Sequence, residues 1–249
     1  MVNQARTQAS HMPTAYAVSR AISDMNTYFA HFHTPLGTML LRAHHRALTG
    51  LYFTDQPDCP AGARVPAASP PRPMDGELGG RPIRGLRARR QGSAHDAQTD
   101  LFEASPAPKA ASDNEAAHCS ALVLADAHTP AGARAVFALA HTELLAYFAG
   151  ELRTFSVPLA FEGTAFQLRV WRALQGIPYG EYVSYGDVAL AAGMSRQHGR
   201  PVGMAVGQNP ISIIVPCHRV LAGSGRLNGY TGGLDRKVGL LQIEGFEVY

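Results

Sequence analysis

Cys217, His218 and Arg219 stand side by side in PCHRV (216–220), after the apolar run ISIIV (211–215) and before the glycine-rich stretch GSGRLNGYTGG (223–233). The reactive form of cysteine is the thiolate, and a basic partner in positive surroundings promotes it. A buried cysteine taken alone is most often an inert small hydrophobe. Here an imidazole and a guanidinium adjoin it, and the glycines supply backbone for a close-fitting pocket. Neighbouring residues in an extended chain point to opposite faces, so His218 is expected to act on Cys217 indirectly, through a water. Glu244, near the end of the last helical pattern, DRKVGLLQIEGF (235–246), offers a carboxylate to orient the imidazole. The chemistry available is a cysteine nucleophile with a Cys–His–carboxylate relay.

The elements that must position these groups follow from periodicity and punctuation. ISIIV is β-branched and apolar and predicts a strand buried on both faces, ended by Pro216. VSYGDVALAAG (183–193) predicts a short helix capped by Ser184 and stopped by Gly193, and a second helical piece ends at Asn209-Pro210. Such a pair reads as a helix-turn-helix. Pro201 costs least in a first helical turn, so the second helix should begin near it, with Arg200 at its entrance. Thr164 and Gln167 form a capping-box pattern ahead of Phe166, Val170 and Leu174. Further upstream, Val136, Leu139, Leu144, Leu145 and Phe148 fit a helical stripe with Gly150 as its stop.

Apolar runs between 28 and 53, separated by Pro35-Leu36-Gly37 and His44-His45-Arg46, predict consecutive antiparallel strands. His31 and His33 read as polar-face strand residues rather than a metal pair. Residues 55–130, rich in Pro, Ala, Gly and Ser, lack core periodicity and are expected to be a disordered linker. Its basic cluster, Arg81, Arg84, Arg87, Arg89 and Arg90, reads as a solvated linker rather than a phosphate trap. Residues 1–26 read as a flexible tail. The three cysteines, Cys59, Cys119 and Cys217, have no metal-type spacing and no disulfide framework, which indicates a reducing compartment. No apolar run reaches membrane-spanning length, and the N-terminus lacks the apolar core of a secretory signal. A net charge of +3 is a weak pointer to an anionic partner. These features predict a cytoplasmic protein.

PCHRV, preceded by NPISIIV and followed by GYTGG, resembles the active-site region of the O6-alkylguanine-DNA alkyltransferases, the methylated-DNA–protein-cysteine methyltransferases, of bacterial type. GTAFQLRVW, IPYGEYVSYGDVA, RPVG, GQNP and LLQIEGF occur in family order between 163 and 246. TPLGTMLLRAHHRALTGLYF is more loosely similar to the family's small sheet domain. The resemblance implies an α+β fold. A ribonuclease H-like N-terminal antiparallel sheet domain would occupy 27–162, interrupted by the linker 55–130. A helical DNA-binding and alkyl-acceptor domain, with a helix-turn-helix of the winged-helix type, would occupy 163–249. It implies a monomer acting on double-stranded DNA that contains O6-alkylguanine, and extending to O4-alkylthymine, with no cofactor, no structural metal and no membrane.

The resemblance also implies roles by position. Cys217 accepts the alkyl group once and irreversibly, after the nucleotide is flipped out. His218 and Glu244 form the proton relay. Tyr185 donates to the departing guanine and crowds its 3′ phosphate, and Ser184 lies beside it on the DNA-binding side. The carbonyls of Cys217 and Val220 accept from the guanine amine, and the Thr231 N–H donates to O6. Tyr230 walls the pocket, Lys237 is a nearby polar group, Asn209 is a hinge, Arg219 is a ligand contact or a buried ion-pair partner, and Arg200 is the finger that replaces the flipped base. Two features depart from the pattern: an extra residue between Gly193 and Arg200, and Pro201 where a small helix former is usual. Competing readings are a non-catalytic alkylated-base binding module, a cysteine hydrolase and a helix-turn-helix regulator.

Overall fold

Alternating apolar residues from Tyr28 onward build three consecutive strands: β1 (Tyr28–Thr34), β2 (Gly37–His44) and β3 (Ala47–Phe53). The structure, a computed structural model, describes residues 27–60, 83–84 and 121–248. The tail 1–26, Cys119, most of the linker and its arginine cluster lie outside the described residues, apart from the backbone of β4 (Ile83–Arg84). β1 pairs antiparallel with β2, and β2 with β3, through turns at Pro35-Leu36 and His45-Arg46. β5 (Val123–Leu124) adds to the free side of β1, giving the order β3-β2-β1-β5. Both described ends of the expected linker are packed. β5 is paired, and Cys59 is buried with Leu40 and Tyr52. β4 pairs with β8 (Glu247–Val248).

Helix α1 (Ala131–Phe148) packs against this sheet. Its buried face runs through Ala133, Val136, Phe137, Ala140, Leu144 and Tyr147, spaced three and four apart. Leu139, expected in that stripe, lies off it and is 38% exposed. Glu143 on the same face accepts from the backbone N–H groups of Ser156 and Val157, at 2.8 and 3.1 Å, and so fixes the extended segment after the helix. That segment reaches the sheet through a parallel bridge between Leu159 and Leu48.

The second half begins with three helices, α2 (Ala165–Gln175), α3 (Tyr185–Ala191) and α4 (Gly199–Gly207). Both predicted N-terminal signals are realised as reciprocal capping boxes, Thr164 with Gln167 and Ser184 with Asp187. Gly193 adopts φ 75° beyond α3, a conformation that costs glycine nothing. A 3-10 turn, Arg196–His198, leads into α4. Buried Trp171 of α2 donates its indole N–H to the carbonyl of Ala205 at 2.8 Å and locks α2 to α4. β6 (Val183–Ser184) pairs in parallel with β7 (Val220–Leu221), and α5 (Leu234–Ile243) closes the chain. One core cluster runs from the sheet through α1 to α4. Among the described residues, no helix is long and apolar enough to cross a membrane.

The ISIIV run is not a strand. Its residues are all buried, but only Ile211 makes a bridge, to Leu51, and the chain then turns with Ile213 at φ 67°. A left-handed β-branched residue is sterically costly. What holds it is Asn209. Its side-chain amide N–H groups donate to the carbonyls of Ile211 (3.2 Å) and Val215 (2.8 Å), and its oxygen accepts from the Ile211 N–H. The buried amide thus serves Ile211 and Val215, while the Ser212 N–H donates to Leu51 of β3 and the N–H groups of Ile214 and Val215 close local turns onto Ser212 and Ile211.

Candidate active site

The turn organised by Asn209 delivers Cys217 to the start of a 3-10 turn, Cys217–Arg219. The backbone there is a 3-10 turn rather than an extended chain, so Cys217 and His218 diverge for a reason other than strand alternation. Cys217 is only 7% exposed. It lines a cavity of about 720 Å³ together with Tyr185, Arg200, Gly203, Met204, Tyr230 and Thr231 among others. Its sulfur accepts a hydrogen bond from Asn209 Nδ2 at 3.2 Å. Burial pushes the thiol pKa up, while that hydrogen bond and the Lys237 charge pull against it. The resting group is a thiol.

His218 and Arg219 turn away from the cavity into a buried network centred on Glu244. His218 Nε2 lies 2.8 Å from Glu244 Oε1. Arg219 reaches both carboxylate oxygens through Nε and Nη2 and donates through Nη1 to the Ile177 carbonyl. Tyr147 donates to Glu244 Oε1 at 2.9 Å, and the Gly180 N–H donates to Oε2. Burial works against charge on Glu244, but His218 and Arg219 together hold its carboxyl down to about 2. An ionised carboxylate only accepts, so Nε2 of His218 carries the proton. Nδ1 then holds a lone pair, and it is buried without a protein partner. Burial also lowers the imidazole pKa, against the opposing pull of Glu244, so His218 is neutral at pH 7.

Lys237 and Arg236, in the first turn of α5, brace the glycine-rich loop. Lys237 is buried, and its Nζ donates to the Val220 carbonyl (2.7 Å) and the Asn228 carbonyl (3.2 Å). Burial depresses its pKa to about 8, although Cys217 opposes the shift. Arg236 donates to the carbonyls of Gly232 and Leu36, pairs with Asp55 at 2.9 Å, and lies 4.2 Å over the Phe53 ring. Gly232 has no room for a side chain, since a Cβ there would come within 2.8 Å of the Tyr230 ring and 3.0 Å of Phe53. The Tyr230 hydroxyl is buried facing Cys217 and Ser212 without a well-formed hydrogen bond to either, and burial drives its pKa well up. Thr231 does more with its side chain than its backbone role required: its hydroxyl donates to the Gly207 carbonyl at 2.6 Å, joining the loop to the end of α4.

Tyr185 is the first residue of α3, and burial raises its pKa, so it remains a donor. Ser184 spends its hydroxyl on the capping box with Asp187. Arg200 is exposed at the second position of α4 and lines the cavity. The helix begins at Gly199, two residues earlier than expected, and runs unbroken through Pro201. Pro201 is tolerated because the first turn has no intrahelical acceptor for the N–H it lacks.

The structure therefore brings Cys217, Tyr185, Tyr230, Thr231 and Arg200 to one cavity and sets Asn209 behind the sulfur. His218 and Glu244 meet as the relay required. Arg219 and Lys237 do not line the cavity; they donate to Glu244 and to backbone carbonyls. Tyr147 and Arg236 were not singled out from the sequence, where each reads as one more residue on a helix. Among the described residues, no three His, Cys, Asp or Glu side chains converge as metal ligands would.

The family described as 6-O-methylguanine DNA methyltransferase, DNA binding domain, matches residues 165–246. The methylated-DNA–protein-cysteine methyltransferase of Mycolicibacterium paratuberculosis is 57% identical over 108 residues, 43% of this chain and 65% of that protein. The Methanosarcina acetivorans protein of that name is 54% identical over 109 residues, 44% of this chain and 69% of its own length. A crystal structure of the Mycobacterium tuberculosis O6-methylguanine methyltransferase covers 88% of this chain and 93% of its own, at TM-score 0.53 and 30% identity. A structure of the M. tuberculosis OGT in complex with DNA matches at TM-score 0.51 and 34% identity, covering 85% and 88%. The matched stretch spans about two thirds of the curated relatives' length, and it contains Cys217, His218 and Glu244. On these matches and this arrangement, the chain belongs to the methylated-DNA–protein-cysteine methyltransferase family.

Proposed function

We propose that the protein repairs DNA by direct reversal, taking the alkyl group from O6 of an alkylated guanine onto Cys217 in a single, irreversible turnover. The observation that carries this reading is a cavity-lining cysteine followed in the chain by a neutral imidazole whose Nε2 is fixed by Glu244 and whose Nδ1 keeps its lone pair. The thiol proton passes through a water to His218 Nδ1. The sulfur then attacks the alkyl carbon, an S–C bond forms and the C–O6 bond breaks. Tyr185, protonated in its buried setting, gives a proton to the leaving guanine so that it departs neutral, and the proton taken up by His218 is released to solvent as Tyr185 regains one, which balances the transfer. The thioether product has no route back, which makes the protein a reagent consumed by its reaction. The reach extends to O4-alkylthymine, which presents the same alkyl ether.

The target atom is inaccessible in stacked duplex, so the nucleotide is extruded into the cavity at a cost of a few kcal/mol. Arg200 fills the gap. The carbonyls of Cys217 and Val220 accept from the guanine amine. The Val220 oxygen already accepts from Lys237, which leaves one lone pair for the base. The Thr231 N–H donates to O6. In this reading the four-stranded sheet with α1 is the ribonuclease H-like part, and α3 and α4 are the helix-turn-helix of a winged-helix type. A structure of the M. tuberculosis OGT in complex with DNA supports DNA as the substrate.

Incubation with duplex containing O6-methylguanine, followed by intact-protein mass spectrometry and peptide mapping, tests this. One methyl on Cys217 per molecule is expected. Binding with no mass change would instead mark a non-catalytic damage-binding module, and repeated ester or amide turnover without DNA would mark a hydrolase.

A further inference from the structure

We infer that Met204 is an apolar wedge that enters the minor groove beside the extruded nucleotide, one helical turn along α4 from Arg200. The inference rests on the alkyltransferase reading above and adds a residue to how the duplex is opened. Met204 is 70% exposed, while Val202, Ala205 and Val206 on the same helix are buried. It belongs to no core cluster, yet it lines the cavity that holds Cys217. Residues four apart share a helix face, so Met204 stands beside Arg200, with Gly203 and Gly207 alongside on the cavity rim. Tyr185 packs behind Gly203, at 3.5 Å from a Cβ built there.

The occupant of this face follows from charge and chemistry. Arg200, exposed at this rim, adds a cation that draws a phosphate backbone to it. A thioether side chain has no strong donor or acceptor with which to read a base edge. It does match sugar C–H surface and a partly unstacked base step, the surfaces that apolar wedges occupy in the minor groove. The unbranched chain adapts to whatever sequence flanks the lesion, as a repair protein requires. Arg200 would replace the missing base while Met204 holds open the adjoining step.

The test compares single-turnover transfer from lesion-bearing duplex with transfer from free O6-methylguanine base, for wild type, Met204→Ala and Met204→Leu. Met204→Ala is expected to lower the duplex-to-base rate ratio by about tenfold, from lost apolar contact with DNA, and Met204→Leu to restore it to within about twofold. A 2-aminopurine placed beside the lesion should brighten on binding wild type and Met204→Leu, and less with Met204→Ala. An unchanged ratio, an equal loss on both substrates, or failure of leucine to rescue overturns the wedge while leaving the repair reading intact. Wild-type protein that transfers from neither substrate overturns both.

Discussion

At Cys217 the central difficulty is the proton. Burial raises the thiol pKa, so in the proposed mechanism the attacking thiolate has to be made as the substrate arrives, with His218 as the proposed base. Cys217→Ser should abolish transfer while keeping affinity for damaged duplex, as read by mass and by gel shift, because a hydroxyl is a far weaker nucleophile in a nearly identical space. Glu244→Gln is a blunter change than a loss of imidazole orientation. It strands Arg219 and His218 in a buried site, and removing one partner of such a pair costs about 3–5 kcal/mol, so chemical denaturation should show a large loss of stability as well as of rate. Tyr147→Phe removes one hydrogen bond to the same carboxylate and keeps the charges. It should slow transfer modestly and cost about 1–3 kcal/mol for the buried acceptor.

The same groups set the acid limit. The folded pKa of Glu244 is depressed to about 2 from an ordinary 4.5, so its contribution is complete above 4.5 and is lost as pH falls through about 2. His218 is also held below its ordinary 6.5, so the unfolded chain takes up that proton first and stability begins to fall below 6.5. Both effects have one sign. The urea midpoint should decline from about pH 6.5 downward and more steeply below 4.5. A midpoint flat from pH 7 to 3 would mean that the network does not support the fold.

At the scale of elements, short helices with defined ends carry the site. Ser184 caps α3 directly ahead of Tyr185, so Ser184→Ala should cost about 1 kcal/mol of stability and slow transfer by moving Tyr185. Ser184→Asp should recover most of the stability. Arg200 stands in the first turn of α4, exposed and at the cavity rim. Arg200→Ala should reduce transfer from duplex far more than from free base, and an equal loss on both would place Arg200 in the pocket rather than in the gap left by the flipped base. Gly193 and the two capping boxes are readable because each signal and its response lie within a few residues. Pro201 misplaced the start of α4 because proline is acceptable anywhere in the first turn, which fixes a window rather than a residue.

At the scale of the molecule, the sheet and the reactive half are joined by long-range clasps. Arg236 ties the pocket loop to Leu36 and Asp55, and Tyr147 ties α1 to Glu244. Cys59 and β5 are packed at the two ends of the expected linker, so a deletion should stop short of them. Replacing residues 61–120 with a short Gly-Ser segment should leave transfer intact and the Tm little changed, because loop closure changes by only about 0.6 kcal/mol per doubling of length. The replacement forgoes only the brief β4–β8 pairing among the described contacts. Loss of soluble protein or of DNA capture would show that the segment contributes to the fold or to binding.

The sequence by itself singled out Cys217, His218 and Glu244 as candidates for a nucleophile, a base and an orienting carboxylate, and it determined the order of strands and helices and most of their ends. These are matters of residue type and of spacing over a few positions. Tertiary structure decided how the groups are used. A run of β-branched residues predicts a strand, yet ISIIV turns through a left-handed Ile213, its backbone satisfied partly by the buried amide of Asn209 and partly by Leu51 and local turn bonds. Of the two readings of Arg219 the structure takes the buried ion pair, with Glu244, and Lys237, expected as a substrate contact, braces the pocket loop, since a buried cation must find its acceptors wherever the fold supplies them. Arg236 meets Leu36 across 200 positions of chain. No local pattern encodes such a contact, because its partners become neighbours only when the sheet and α5 have packed together.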